Sequence, residues 1–446
     1  MKKYFFTIFL VLGVVGVLSS QSEGITINTI EIQFTGKART GERVLRSYID
    51  IKEGDQFSSL AELETDIEEQ IRELNNTRYF NSVEMSAEET DQQGEYKIIL
   101  VVEDGWTLVP IPYPLPDSAV GLNGWSFGLE VNYDNFFGTM TDFYFDGYAN
   151  LAFGEEEKLK AWKLKSKIKN IKIGNLKHSV EFQQEYKTTA DTDPAKPEEL
   201  QVQQHYTNYS SEVGVSTSFR LSNLWTYSIT PKLGFKYEYD YHDTFEGDTV
   251  KNNESVIEDP FYFSFNHSIK LGRVDWVGPL RKGYEVSLSN SLGFLNSYYR
   301  DTDTEEFRFV PELTLTGKSY IPFLKHFNYY TKGEVYWGIN NIKTGLGSKL
   351  RGVKNSSMSG DFGFFWLNTL AIEIWGNDTF HIQLHPFTDM GFALKTEEVN
   401  SLADNFRIGF GTELIGMIGS VDLKAKYGYD QVSDYHDFSF VTGFSY

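Results

Sequence analysis

Apolar and polar side chains alternate through successive short segments of the C-terminal two thirds, and this pattern constrains the fold more than any other feature. It is clearest over 406–414, 421–429 and 438–446, where apolar residues mostly occupy every second position. Successive side chains of a β-strand point to opposite faces, so each segment predicts a strand with one apolar face. In a transmembrane β-barrel that face contacts lipid and the other lines a polar lumen. A soluble sandwich also alternates, but its charged residues would face bulk water.

Composition excludes several other classes of protein. The mean hydropathy is −0.36, and no segment after residue 22 is a long uncharged apolar run, which excludes a helical membrane protein. The formal net charge is −21, and a chain this acidic is not expected to bind nucleic acid. There is no cysteine, so disulfides and cysteine-based zinc sites are excluded. We expect neither a cofactor nor a metal.

The first residues predict export from the cytoplasm. Two lysines precede an apolar segment at Tyr4–Leu18, and small residues follow it, as in a secretory signal peptide covering residues 1–22. The alternative is an uncleaved membrane anchor. The apolar segment is shorter than the roughly 20 residues that span a bilayer, which favours the signal peptide.

A small α+β domain is predicted at residues 25–104. Its first strand, Ile25–Phe34, loses its alternation near Asn28, which marks either the true strand start or a bulge. Two helices and two alternating strands follow. Residues 105–121 then carry prolines at alternate positions, namely 110, 112, 114 and 116. Because proline cannot donate a ladder hydrogen bond, this segment is predicted to be a stiff linker.

Residues 122–446 are predicted to form the barrel. Fifteen alternating segments can be recognised there, but a barrel whose chain enters and leaves on the same side needs an even number of strands. We place the missing strand near Ile342–Leu350. The predicted fold is therefore an all-β transmembrane barrel of about 16 antiparallel strands, preceded by the small α+β domain.

A charged group of residues follows this region. Arg351 lies in a predicted loop, and the next two strands each place one carboxylate on their polar face, Glu373 and Asp389. A loop arginine beside two carboxylates can form a charge-assisted, bidentate pair. The alternative, which the spacing leaves open, is a solvated arginine with two unrelated lumen carboxylates.

Two motifs around this arginine resemble those of the Omp85 superfamily of BamA-like and TamA-like outer-membrane proteins. The first is Leu350-Arg351-Gly352-Val353, and the second is Phe387-Thr388-Asp389-Met390-Gly391. Val353 stands where that superfamily usually has an aromatic residue. The resemblance implies that the loop folds into the barrel and that Arg351 pairs with Asp389. The further wall residues that it implies are Glu373 as a second candidate partner, Phe387 packing beside the pair, and Gly391 closing the motif.

Both ends of the mature chain extend this resemblance. The order of short motifs in residues 25–104, including Ile32-x-Phe34-x-Gly36 and Arg78-Tyr79-Phe80, resembles a single POTRA domain. The chain finishes with Phe444 and Tyr446, similar to the C-terminal signal of outer-membrane barrels. The resemblance implies a bacterial outer-membrane protein whose POTRA-like domain lies in the periplasm.

The function that the resemblance implies is not enzymatic. It is the insertion or assembly of outer-membrane proteins, or the translocation of polypeptides. The implied partners are the lipid bilayer, unfolded polypeptide clients, and periplasmic chaperones or accessory proteins. The alternative is a surface-exposed or channel-forming barrel without assembly activity. An enzyme has less support, because His385 and Asp389 share a strand face but no G-x-S-x-G or H-E-x-x-H motif occurs.

Overall fold

The computed structural model comprises an N-terminal domain and a closed barrel. It describes residues 24–105, 107–116, 124–152, 159–192, 203–245, 248–251, 257–299, 304–339, 342–377, 380–396, 405–418 and 421–444. The predicted signal peptide at residues 1–22 and the terminal Tyr446 lie outside these ranges. No helix in the described part of the chain is both long and apolar enough to cross a bilayer.

The N-terminal domain is a four-stranded sheet covered by two helices. Its strands are β1 (Ile25–Phe34), β2 (Gln56–Phe57), β3 (Phe80–Glu89) and β4 (Glu95–Asp104), and its helices are α1 (Glu42–Tyr48) and α2 (Leu60–Thr77). The strand order is β2-β1-β4-β3, with β1 and β4 parallel. The register between β1 and β4 shifts between Ile27 and Thr29. The loss of alternation near Asn28 is therefore a bulge inside the strand.

Apolar side chains from one face of α2 and from the sheet form the core of this domain. Helix α2 buries Leu63, Ile67 and Leu74 along one face, the spacing of an amphipathic helix. The Ser59 side chain accepts a hydrogen bond from the backbone N–H of Glu62 and caps the helix. These side chains pack against the buried face of the sheet, which includes Ile98 and Leu100.

The rest of the described chain closes into an antiparallel barrel. A short strand, β12 (Asp248–Lys251), extends the hairpin between β11 and β13. The sixteen long strands are β5 (Leu108–Pro116), β6 (Gly124–Tyr133), β7 (Asp142–Ala152), β8 (Leu159–Ile173), β9 (Leu176–Thr192), β10 (Gln203–Arg220), β11 (Trp225–Phe245), β13 (Ile257–Val277), β14 (Leu280–Tyr299), β15 (Thr304–Leu324), β16 (Phe327–Gly338), β17 (Phe362–Gly376), β18 (Phe380–Leu394), β19 (Phe406–Ile418), β20 (Val421–Asp430) and β21 (Tyr435–Phe444). The predicted fold class is confirmed.

Two predictions about the strands were wrong, and they share one cause. The proline-rich segment is not a linker over 108–116, because it forms β5, which pairs with β6 throughout and closes the barrel against β21. This is the sixteenth strand. Residues 342–350 instead lie in a loop that contains a 3-10 turn at Leu346–Lys349. Proline removes a donor from only one edge of a strand, so prolines at alternate positions leave the other edge free to pair.

The two faces of the barrel differ as the alternation predicts. Outer-face apolar side chains remain exposed, for example Phe410, Leu414 and Leu423. The intervening side chains point inward, and Lys165 and Lys167 form ion pairs with Glu181 across the lumen wall. An apolar exterior around a charged interior is the arrangement of a transmembrane barrel.

The strands are much longer on one side of the barrel than on the other. The six long strands from β9 to β15, here called the long-strand wall, contain 17 to 21 residues each. The four strands around the closure, β20, β21, β5 and β6, contain nine or ten and are here called the seam wall. At a rise of about 3.4 Å per residue, the longest strands extend roughly 70 Å and the seam strands roughly 30 Å.

The N-terminal domain docks on the turns at one end of the barrel. Met140, in the turn between β6 and β7, is fully buried in the core of that domain. Its carbonyl accepts hydrogen bonds from the hydroxyls of Tyr48 and Tyr79, at 3.1 and 3.3 Å. Burial raises the pKa of Tyr48 to about 12 and that of Tyr79 well above its ordinary value.

Ion pairs extend this docking surface to the turns of the long-strand wall. Arg273 at the end of β13 contacts Glu69 of α2 at 2.6 Å, and Arg220 at the end of β10 contacts Glu73 at 2.6 Å. The Arg78 guanidinium, next to the end of α2, lies 4.3 Å from the ring centroid of Trp276. The end of α2 is therefore seated at the barrel mouth.

Candidate functional site: a loop anchored inside the barrel

The loop between β16 and β17 returns on itself and packs against the inner wall. Its two ends are joined by reciprocal backbone hydrogen bonds of 2.9 Å between Lys343 and Gly360. Between them, four apolar side chains are buried against the wall residues Tyr336, Phe365 and Ala393. These four are Leu346, Leu350, Val353 and Met358. Burial of these side chains explains why the loop folds inward, and it places the following arginine against β18.

Arg351 forms a fork-shaped pair with Asp389. Its Nε donates to Oδ2 and its Nη2 to Oδ1, both at 2.8 Å, and its backbone N–H donates to Oδ2 at 2.9 Å. The Asp389 side chain is 0% exposed. The guanidinium also lies 4.2 Å from the ring centroid of Phe387, a cation–π distance. The structure thus brings together the arginine, the aspartate and the phenylalanine that the sequence motifs identify.

The second carboxylate at this arginine is Glu413, not Glu373. Arg351 Nη1 donates to Glu413 Oε2 at 3.2 Å, and Nη2 donates to the Thr369 hydroxyl at 2.8 Å. Glu373 lies four residues beyond Thr369 on β17, about 13 Å along the strand. There it contacts Nδ1 of His326 at 2.8 Å and Nδ1 of His381 at 2.9 Å. Its predicted role as a partner of Arg351 was therefore wrong.

Two lysines anchor the same loop, and the sequence analysis missed both. Lys343 donates to Glu312 of β15, and Lys349 donates to Glu334 of β16, each at 2.7 Å. Glu334 is 5% exposed, so its charge requires a partner. A signal was available, because a glutamate on the polar face of a strand inside a barrel is expected to pair with a cation.

Glycines allow the tip of the loop to approach the wall backbone to backbone. Gly352 has φ +78°, and a Cβ there would lie 2.7 Å from the backbone nitrogen of Tyr429. A Cβ on Gly409 would lie 2.0 Å from the Arg351 carbonyl oxygen. A Cβ on Gly391, the last residue of the second motif, would lie 2.4 Å from the Phe364 carbonyl oxygen on β17. A larger residue at any of these three positions would clash with neighbouring backbone atoms.

The other candidate residues lie apart from this loop. Phe444 is the last residue of β21 and pairs with Val421. His385 Nε2 donates a hydrogen bond to Oε1 of Gln383 at 2.7 Å. Among the described residues, no group of three histidines, aspartates or glutamates is arranged to hold a metal ion.

A cavity of about 230 Å³ lies between the loop and the barrel mouth. Its lining includes Arg351 of the loop, Tyr330 of β16, and Trp276 and Arg281 near the N-terminal domain. The Trp276 ring is stacked between the guanidiniums of Arg78 and Arg281, each 4.3 Å from its centroid. Aromatic and cationic side chains thus line this cavity together with Glu413 and Asp422.

Comparison with known proteins identifies the domain and the fold. Residues 28–105 match the POTRA family, described as a surface antigen variable number repeat. CdiB from Escherichia coli has 13% identity and a TM-score of 0.60, over 94% of this chain and 75% of that one. CdiB from Acinetobacter baumannii has 15% identity and a TM-score of 0.56, over 95% and 74%. BamA from Haemophilus ducreyi lacking POTRA domains 1–3 has 14% identity and a TM-score of 0.47, over 94% and 84%. No curated protein matches the chain.

These matches agree with the architecture derived above. The POTRA match covers the sheet and helices of the N-terminal domain, and at these identities the structural similarity to CdiB shows the fold. The described part of the chain therefore consists of a POTRA domain docked on a 16-stranded barrel, and its fold is similar to that of CdiB.

Proposed function

We propose that this protein resides in the bacterial outer membrane and inserts polypeptides into that membrane or translocates them across it. One observation carries the proposal: a POTRA domain with a free sheet edge is docked at the mouth of a barrel whose lumen holds an anchored loop. The domain supplies a surface for an extended client, and the barrel supplies the route. The loop fills part of the lumen, which favours this function over a permanently open channel.

The longest free edge of this sheet is strand β3, which contains ten residues. In the strand order β2-β1-β4-β3, β3 has β4 on one side and no further strand of the described chain on the other. An exposed edge presents unpaired N–H and C=O groups, which can bind an extended segment by β-augmentation. Glu84 and Glu88 on this strand are exposed. The domain thus fits an unfolded client, with chaperones or accessory proteins as further partners.

Photo-crosslinking tests this function in cells. A benzophenone amino acid at position 84 on β3 should capture outer-membrane or secreted polypeptides. The same group at Glu64, exposed on α2, serves as the control. Depletion of the protein should lower the abundance of the captured clients in the outer-membrane proteome. Equal capture at both positions, or an unchanged proteome, would contradict the proposal and favour a channel-forming barrel.

Deletion of the domain is a poor test for this protein. Met140 belongs to the barrel chain but is buried in the POTRA core, and Asn135 of the same turn donates to the Thr40 hydroxyl. Removing residues 25–104 would therefore expose the turn between β6 and β7. A loss of activity in that variant could then come from a damaged barrel and not from the missing domain. Substitutions on the edge strand avoid this problem.

A further inference from the structure

A second cavity, of about 470 Å³ and here called the lysine cavity, lies against the inner face of the long-strand wall near the barrel mouth. It adjoins the cavity beside the loop, because Trp276, Arg281 and Tyr320 line both. In a chain with a formal net charge of −21, its lining is locally positive and attracts anions. Among its lining residues that the structure describes, one is a carboxylate, Glu285, and four are cations, namely Lys270, Arg273, Arg281 and Lys318.

Strand register concentrates this positive charge on one patch of the wall. Lys318 lies opposite Glu285 in the ladder between β14 and β15, and opposite Lys332 in the ladder between β15 and β16. Two like charges directly opposite each other destabilise a sheet. Lys332 contacts Glu334 at 2.7 Å, whereas Lys318 contacts Glu285, which it shares with Lys270. The patch therefore carries more positive than negative charge.

Glu285 contacts both of its lysines at long distances. Its Oε2 lies 3.5 Å from Lys270 Nζ, and its Oε1 lies 3.4 Å from Lys318 Nζ. Charge-assisted N–H···O bonds are typically about 2.7–2.9 Å long. Glu181 is likewise shared by Lys165 and Lys167, but it contacts them at 3.0 and 2.8 Å. The side chains of Lys270 and Lys318 remain 45% and 35% exposed, so both can contact a further anion from the lumen.

The rim of the lysine cavity already holds carboxylates from another polypeptide segment. Glu69 and Glu73 lie one turn apart on α2 and contact Arg273 and Arg220, each at 2.6 Å. Arg273 also lines the cavity, so the carboxylate of Glu69 is bound at its edge. The arrangement shows that this part of the barrel mouth accommodates closely spaced acidic side chains of a polypeptide.

Hydroxyl groups line another part of the lysine cavity. Ser218, Thr226 and Ser228 contribute to its surface, and the hydroxyls of Ser218 and Ser228 lie 2.8 Å apart. A hydroxyl both donates and accepts hydrogen bonds, so it suits a peptide backbone as well as a carboxylate. The volume of about 470 Å³ is within the range of ligand pockets, about 300–1,000 Å³. The cavity thus offers charge, hydrogen-bonding groups and space to a short peptide segment.

We propose that the lysine cavity binds the carboxylates of an acidic segment of a client polypeptide. The inference rests on the proposed function and specifies a class of client, one in which aspartates or glutamates lie close together in the chain. Lys270 and Lys318 supply the ammonium groups that pair with these carboxylates, and the hydroxyls bind the neighbouring backbone. Because these lysines are partly exposed, binding weakens as the salt concentration rises.

Peptide binding to the full-length protein in a nonionic detergent tests this site. The probe is a short fluorescent peptide with several glutamates, and the control peptide has glutamine at the same positions. Fluorescence anisotropy should show at least tenfold tighter binding of the glutamate peptide at low ionic strength, and a much smaller difference in high salt. Equal binding of the two peptides at low ionic strength would overturn the proposal.

Matched pairs of lysine substitutions locate the binding. Lys270→Gln combined with Lys318→Gln should weaken binding of the glutamate peptide at least tenfold. Lys165→Gln combined with Lys167→Gln also removes two lumen lysines that share one glutamate, and it should leave binding unchanged. Glu285→Gln removes the carboxylate that competes with the ligand, so binding should tighten at least threefold.

The resistance of each variant to unfolding by heat in detergent reports folding. Undiminished binding to a folded Lys270 and Lys318 double variant, or an equal loss in both double variants, would overturn the proposal. If that double variant does not fold, unchanged or weaker binding to Glu285→Gln overturns it instead. Inorganic pyrophosphate tests the alternative ligand. Its binding to the lysine cavity without any binding of the glutamate peptide would identify a phosphate site and contradict the proposal.

These results separate the lysine cavity from the function as a whole. If the cavity prediction fails while position 84 on β3 still captures clients in cells, the site for acidic segments is wrong and the proposed function stands. If the glutamate peptide binds at the cavity but no client is captured and the proteome is unchanged, the proposed function is wrong.

Discussion

The long-strand wall and the seam wall have the same alternating pattern but differ in the length of their strands. The first has strands of 17 to 21 residues, whose long ladders are interrupted only by local register shifts such as that between Glu258 and Phe261. The second has strands of nine or ten residues, and one of its edges lacks four donors. Alternation of side chains therefore sets which face meets lipid on both walls, whereas the length of the hydrogen-bonded ladders differs between them.

The POTRA domain and the lumen loop contact different parts of the barrel. The POTRA domain contacts turns from β6 to β14, through residues such as Met140 and Arg273. The lumen loop is anchored on strands from β15 to β19, through Glu312, Asp389 and Glu413. The loop tip reaches β20 at Gly428. The loop therefore supports the wall on the β21 side of the closure.

The largest effect is expected from removing the loop anchor. Arg351→Ala leaves the fully buried Asp389 carboxylate without its cation, and breaking a buried pair in this way costs about 3–5 kcal/mol. We expect the unfolding midpoint in detergent to fall and proteases to cleave within 342–361. Lys354→Ala, at an exposed position of the same loop, should change neither. An unchanged midpoint would show that the loop does not stabilise the seam side.

A smaller loss is expected from crowding the loop tip. Gly352→Ala combines a strained backbone at φ +78° with a Cβ 2.7 Å from the Tyr429 nitrogen, at a cost of about 1–3 kcal/mol. Gly333→Ala on β16 is the matched control, because a Cβ there meets nothing within 4 Å. Denaturant unfolding of both variants measures the difference. Equal stability would mean that the tip does not pack on β20.

The docked domain should respond to alkaline pH. Tyr48→Phe removes the hydrogen bonds from the hydroxyl to the Met140 and Asn170 carbonyls, at 3.1 and 3.0 Å, with a loss of about 1 kcal/mol. The folded-state pKa of about 12 lies above the ordinary value near 10. The contribution of this tyrosine is therefore intact below pH 10 and is lost as the pH rises toward 12.

The measurement is release of the domain, detected by proteolysis between the domain and β5 across pH 8 to about 12. The wild-type protein should lose docking faster than Tyr48→Phe as the pH rises through this range. Identical pH dependence of the two proteins would place the sensitive group elsewhere, for instance at Tyr79.

The smallest effect is expected at the ion pairs on the barrel mouth. Arg273→Ala removes a partly exposed contact with Glu69, and such pairs contribute about 0–1 kcal/mol and weaken in salt. Domain release should increase slightly at low ionic strength and not at all in high salt. A fall in the unfolding midpoint as large as that of Arg351→Ala would show that the ion pairs at the mouth stabilise the barrel as much as the loop does.

Local patterns predicted much of this structure. Alternation identified fifteen of the sixteen strands, and the two motifs placed Arg351 beside Asp389. The misplaced sixteenth strand has a physical explanation, because proline excludes a central strand only when its missing N–H faces a neighbour that needs it. Glu373 and Glu413 are both acidic residues on lumen faces, so the sequence cannot distinguish them as partners of Arg351.

The sequence by itself determined which side chains face lipid and which face the lumen, because the two-residue period of a strand needs no knowledge of its neighbours. Only the tertiary structure decided which strands are neighbours and in what register. Register brings Glu413 to Arg351 and moves Glu373 to the two histidines, and closure of the barrel places β5 beside β21. Both outcomes depend on pairing between segments far apart in the chain, which no local period encodes.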